Sequence, residues 1–407
     1  MAMLHEDDQL FSKSNPIRED QIIQLFEKEL HPPEPISSIT APPTIQASYH
    51  KIYFITLASG REAVLRLARP CIPHIKVENE VAVLCHVART TNVPVPTVWF
   101  WSSDANSPDN ILGYEYIVMD RINARSLESQ WRHLPPVVFD SILDQVIDHW
   151  LALRAASFGT SVGGLRFGRT PDGKIDATVI EPGPVVEEVM WQTPDVKRYW
   201  TDLGINEDFA SLNIKGPYSD YRRYLQDHLR IYTRNISLHP TLEFARHFIP
   251  RIEHLVLNLD DDNFDYTRAA KDVAVYLAHQ DTHLGNLLFE GDRIVSMLDW
   301  EFSGLYPGFI ADPSKYLIWD MGPELTPEMA EQRPLAEIWR SKFTTTLAKR
   351  APEIEREIVI PSELKHLYDA WNFLRCIIEV APRGARLELA HGSWSQRIDD
   401  ALKGLNL

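Results

Sequence analysis

The segment 278–301, AHQDTHLGNLLFEGDRIVSMLDWE, constrains the fold more than any other stretch of the chain. Two apolar runs, 287–289 and 294–298, flank Glu290-Gly291-Asp292, a turn too short for a helix, so the spacing predicts a hairpin. A hairpin returns the chain to where the segment began. Asp299 is thereby brought toward Asp281 and Asn286, so that two carboxylates and an amide converge. Such a set is costly to bury unless it holds an ion or is hydrogen-bonded.

That grouping suits phosphoryl transfer from ATP. Nucleotide phosphates repel one another and any incoming oxygen, and a divalent metal held by a carboxylate and an amide oxygen offsets this charge. Asn286 and Asp299 are the candidate Mg²⁺ ligands, and Asp281 is the candidate catalytic base that orients an acceptor hydroxyl and receives its proton. His279 joins the catalytic set as an organiser of the loop through hydrogen bonds, with His283 as a secondary candidate. Gly285 permits a tight backbone course into Asn286.

The preceding chain reads as a small sheet with one helix. Residues 17–30 carry Ile17, Ile22, Leu25, Phe26 and Leu30 at helical spacing and stop before the prolines of HPPEP. Segment 44–67 reads as two strands joined across residues 58–61, residues 76–90 as a helix with Val77, Val81, Leu84 and Val87 on one face, and VPVPTVWFW and GYEYIVMD as two further strands. Arg66 lies on the second strand and Glu80 on the helix after it. An ion pair between them would aim the guanidinium at the ATP phosphates, with Glu78 as the competing partner. Composition shifts near residues 119–121. The division expected is therefore an N-terminal helical extension (1–39), a nucleotide-binding lobe (40–119) and a helix-rich catalytic and substrate-binding lobe (120–407). In the last of these, helices are expected from Phe139 and over 219–234 and 264–278, with a hairpin at 165–180. Tyr218, Tyr221 and Tyr224 are assigned to packing, and the acidic run 259–262 to a solvated loop.

Charge narrows the partners. With 41 Lys+Arg against 57 Asp+Glu the chain carries a formal −16, which disfavours nucleic acid. No run reaches the roughly eighteen apolar residues of a membrane span. The start MAMLHEDDQLF is unlike a secretory leader, and three cysteines without C-x-x-C spacing indicate a reducing compartment. The expected location is cytoplasmic.

AHQDTHLGNLLF followed by SMLDWEFSG resembles the catalytic and metal-binding segments of the aminoglycoside phosphotransferase-like, or choline-kinase-like, small-molecule kinases, fungal members included. The H-x-D-x-x-x-x-N pattern falls on His279, Asp281 and Asn286, and the metal-binding Asp of the DFG-type position on Asp299. The resemblance implies an α+β, bilobal protein-kinase-like fold, with a small antiparallel sheet lobe and a large, mainly helical lobe. It further implies ATP in the cleft, Mg²⁺ at Asn286 and Asp299, and a small-molecule hydroxyl acceptor at Asp281. EYIVMDRI corresponds to the interlobe hinge, so backbone at Tyr116, Val118 and Met119 is expected to meet adenine. Two departures stand out: 46–53, the segment expected to curl over the phosphates, has no glycine, and position 66 is Arg where many kinases have Lys. ATP-dependent phosphorylation of a small molecule, an amine-bearing one among the candidates, is favoured over two alternatives. These are a catalytically weak nucleotide-binding or regulatory protein, and a metal-dependent hydrolase built on His279, Asp281 and His283.

Overall fold

In the computed structural model, which describes residues 17–42, 49–312 and 327–407, the N-terminal part is built on a five-stranded antiparallel sheet. Its strands are β1 (Ile36–Thr40), β2 (His50–Leu57), β3 (Glu62–Ala68), β4 (Val98–Ser102) and β5 (Tyr116–Asp120), in the order β1-β2-β3-β5-β4. Helix α1 (Glu19–Glu29) covers one face, burying Ile22, Leu25 and Phe26 against Leu65, Leu67 and Val118. Helix α2 (Ile75–Thr90) sends Val77, Val81, Leu84 and Val87 into the other core. The two-residue alternation of β3 divides the labour: Ala63, Leu65 and Leu67 pack under α1, while Val64 and Arg66 face the interlobe cleft.

Strand β1 was not anticipated within the 1–39 extension. Its sequence ISSIT does not alternate cleanly, and backbone pairing with β2, Ile39 opposite Ile55, defines it. Of the glycine-free segment 46–53, residues 46–48 lie outside the described residues and 50–53 belong to β2, so that half is strand and not loop.

The chain enters the larger lobe through β6 (Arg125–Ser126) and α3 (Pro136–Ala155), followed by the hairpin β7 (Gly164–Arg169) and β8 (Ile175–Gly183). The helix Tyr221–Leu238 opens on Asp220, whose carboxylate accepts from Arg223 N, and buries Tyr221, Tyr224 and Leu225. Asp260 and Asp262 are tied by ion pairs to Arg223, Arg222 and Lys271, exposed except at the Arg222 side chain. The helix expected over 264–278 ends at Lys271. Its last part is strand β9 (Val275–Ala278), which pairs with β12 (Gly304–Pro307); β10 (Leu287–Glu290) and β11 (Arg293–Met297) lie between them in sequence. A short run buried on both sides has no periodicity to separate strand from helix, and pairing decides. The result is the two-lobed α+β arrangement that the resemblance implies. The three cysteines are free, and no described helix is long and apolar enough to cross a membrane.

Candidate active site

The expected hairpin forms from β10 and β11, with Leu287 opposite Met297 and Gly291 at the turn in the left-handed region (φ 62°). Leu298 N donates to Asn286 O at 2.8 Å, which closes the base of the hairpin and sets Asp299 beside Asn286. Asn286 is buried, and its Nδ2 donates to Asp281 O (2.9 Å) and Oδ2 (3.2 Å). Asp281, Asn286 and Asp299 line one cleft of about 1400 Å³ between the lobes. Burial and the neighbouring Asp299 push the Asp281 carboxyl up, against the pull of His283 and the Asn286 bond.

The loop that holds these groups is over-determined. His279 is buried with both ring nitrogens engaged: Nε2 donates to Leu298 O at 2.7 Å, and Nδ1 accepts from Asp281 N at 3.3 Å. Burial lowers its pKa to about 4, so the ring is neutral. No lone pair remains for a metal, which removes the His279–Asp281–His283 ligand set. His283 Nδ1 accepts from Gly285 N at 3.0 Å. At Gly285 a Cβ would lie 2.6 Å from His283 Cε1 and 2.8 Å from Glu128 Oε2, so a side chain there would force His283 and Glu128 to shift, and the constraint is crowding and not turn geometry. Gln280 and Asp299 both take φ of 65°, a conformation costing non-glycine residues of order 1–3 kcal/mol each. Two such residues within one cleft mark it as built for something other than stability.

The sheet lobe contributes a ladder of charges. Arg66 Nη1 pairs with Glu80, and Nη2 reaches Asp299 Oδ1 at 2.8 Å and His50 Nδ1 at 2.9 Å. Glu78, the competing partner, turns away to Arg169 at 2.7 Å. One turn before Glu80 on α2, Lys76 is 1% exposed and sits 2.7 Å from Glu301 Oε2 and 3.1 Å from His50 Nε2. Burial pushes Glu301 up to about 8 against the pull of Lys76. Burial, with the nearby cations, holds His50 well below the usual imidazole range. His50, Lys76 and Glu301 were not singled out from sequence, although Lys76 stands four residues before Glu80 and Glu301 two after Asp299. Among the described residues, His50, Glu80 and Glu301 are the one group of three His, Cys, Asp or Glu side chains whose ligand atoms lie within 4.8 Å of one another, and the cations of Arg66 and Lys76 already bond to it.

The expected hinge moves along the chain. Tyr116 and Val118 sit in the middle of the sheet, their backbone paired with β3 on one side and β4 on the other, and their side chains pack under α1. Neither is available to a nucleotide. Met119 does line the cleft, followed by Asp120, Arg121, Ile122 and Asn123 as the chain leaves the sheet. This crossing is held by Arg121 N donating to Glu62 O at 3.2 Å and by Trp99 Nε1 donating to Asp120 Oδ1 at 2.6 Å.

A family profile described as the phosphotransferase enzyme family matches residues 45–352, most of the chain and both lobes of this cleft. The chain belongs to that family. Two curated relatives of the chain, subtelomeric hrmA-associated cluster proteins from two strains of Aspergillus fumigatus, are 21% identical over 308 residues. The match takes in 65% of this chain, which spans 58% of the length of those relatives. Among solved structures it is similar to aminoglycoside phosphotransferase APH(4)-Ia (16% identity, TM-score 0.47, 95% of this chain and 97% of that one). It is also similar to APH(2")-IIa in its streptomycin–ATP complex (12% identity, TM-score 0.49, 94% and 97%).

The oxygen set of the cleft fits a hard divalent cation. Asn286 spends its amide nitrogen on Asp281, and among the described residues no donor bonds its Oδ1 or Asp299 Oδ2. An amide oxygen and a carboxylate oxygen on adjoining segments are the donors Mg²⁺ takes.

Proposed function

We propose that this phosphotransferase moves the γ-phosphoryl group of ATP to a hydroxyl of a small molecule, with Asn286 and Asp299 as the Mg²⁺ ligands. The observation that carries the reading is the meeting of Asp281, Asn286, Asp299 and Arg66 in one cleft. When bound, magnesium–ATP supplies the phosphoryl group and neutralises its charge. Asp281 orients the acceptor hydroxyl and takes its proton; the acceptor oxygen bonds phosphorus as the bond to the bridging oxygen breaks, and ADP leaves. Arg66, anchored by Glu80, directs its fork at the phosphates, and His279 holds the loop in register. Met119 and the crossing residues 120–123 form the adenine wall. Residues 40–119 then act as the nucleotide-binding lobe and 120–407 as the catalytic lobe, with 1–39 as an extension that adds α1 and β1 to the sheet.

An acidic chain and the carboxylates Glu187 and Glu188 along the cleft are compatible with an amine on the acceptor. Free cysteines are in keeping with a cytoplasmic protein, and the charge with a small-molecule partner instead of nucleic acid. A second reading, nucleotide binding with weak turnover, is favoured by one contact: Arg66 already holds Asp299 Oδ1. Calorimetric titration of ATP with and without Mg²⁺ tests the metal assignment. Asp299→Ala should abolish the Mg²⁺-dependent part, a loss of about tenfold or more in affinity for losing one charged ligand. Retention of that part in the variant rejects Asp299 as a ligand.

A further inference from the structure

The cleft that holds Asp281 is also lined by Glu187, Tyr224 and the helix Lys365–Val380, which contributes Tyr368, Trp371 and Arg375 at helical spacing. Arg375 is the unusual member. Its guanidinium makes one hydrogen bond, from Nη2 to Asn372 Oδ1 at 3.2 Å, and lies 5.7 Å from the centre of the Trp371 ring. Its Nε is sealed from solvent with no acceptor. Among the described residues no carboxylate comes within the 4.0 Å of an ion pair with it.

Contact ion pairing does not account for it. Glu379, one turn on, and Glu187, which lines the same cavity, favour its charged form through their fields, yet neither reaches contact distance. Glu187 is otherwise engaged, its Oε1 accepting from Tyr224 OH at 2.7 Å. A guanidinium drawn partly out of water, with its nearest carboxylates beyond contact, leaves donors for a further acceptor. One that lines a cavity, with donors of its planar fork unspent, has the geometry that binds an oxyacid in a bidentate manner.

We propose that the acceptor carries a carboxylate, bound by Arg375, on the same molecule as the hydroxyl presented to Asp281. The proposal rests on the phosphotransfer reading for the use of that hydroxyl. Tyr224, Tyr368 and Trp371, which contact one another and line the same cleft, offer the body of the acceptor a flat apolar wall, which suits an aromatic or similarly flat skeleton.

The test measures binding to the full chain without nucleotide or metal, so that its outcome is independent of turnover. Matched pairs of hydroxyl compounds are titrated by calorimetry: 4-(hydroxymethyl)benzoate against 4-(hydroxymethyl)benzamide, and 3-hydroxypropanoate against its amide. The expected result is about tenfold or more tighter binding of the carboxylate, as for a charge-assisted bond, in at least the aromatic pair. Arg375→Gln should bring the carboxylate to the level of the amide, and Arg375→Lys should leave an intermediate preference. Equal affinity within both pairs, binding of neither member of either pair, or a preference that survives Arg375→Gln in folded protein overturns the proposal. Should Arg375→Gln not fold, the wild-type pairs and Arg375→Lys decide. Carboxylate preference without any phosphoryl transfer would retain the subsite and remove the phosphotransfer reading; transfer to neutral alcohols alone would do the reverse.

Discussion

Asp281→Asn should lower phosphoryl transfer by about 10²–10⁴-fold, the range for removing a positioned general base, while Mg²⁺-dependent ATP affinity stays near wild type. Asparagine preserves the shape of the side chain and keeps an oxygen for the Asn286 Nδ2 contact, which is 3.2 Å in the native loop. It also leaves intact the stronger tether, from Asn286 Nδ2 to the Asp281 carbonyl at 2.9 Å. What it loses is the ability to accept a proton. Single-turnover measurements separate this from a binding defect, because a proton-acceptor loss appears in the chemical step and not in the nucleotide titration. Unchanged single-turnover rates would remove Asp281 from the chemistry.

Lys76→Met should produce the largest loss of stability of any single change in the charge ladder, up to about 3–5 kcal/mol at a pH well above 8, where Glu301 must be ionised without its buried counter-ion, and a smaller loss at pH 7, where Glu301 takes up a proton instead. The Lys76 ammonium lies 2.7 Å from Glu301, and both residues are buried. Methionine fills much of the space and removes the countercharge. Glu301→Gln in the same chain should recover most of the loss, because the amide needs no countercharge; the double-mutant cycle therefore isolates the charge from the packing. Denaturant midpoints read both steps. A Lys76→Met protein as stable as wild type, or no recovery in the double variant, would mean that the pair adds nothing to the lobe interface that α2 and residue 301 share.

How much of this was legible in sequence depends on how far apart the partners lie. The convergence at the catalytic hairpin was readable because Asp281, Asn286 and Asp299 sit within one short segment, and a two-strand turn leaves little freedom in where its ends meet. Arg66 and Glu80 were readable for a similar reason, being on consecutive elements. Lys76 and Glu301 are separated by 225 positions, and a lone lysine on an apolar helix looks like a solvated face until the other lobe closes over it. The hinge at Tyr116 and Val118 was placed too early because YIVM is a continuous apolar run; such a run marks the buried strand, while the cleft wall begins at its last residue, Met119, and continues through Asp120. Arg375 had no local signal at all, since Glu379 four residues later makes it look like an ordinary helix pair.

The central claim is tested most directly by incubating the protein with ATP, Mg²⁺ and a panel of amino alcohols, aminoglycosides, sugars and hydroxy acids, and detecting phosphoryl gain by mass. The expected result is one acceptor class that gains a single phosphoryl group in step with ADP release, dependent on Mg²⁺ and lost in both Asp281→Asn and Asp299→Ala. Nucleotide binding with no phosphoryl gain across the panel, or gain that persists undiminished in both variants, would contradict it.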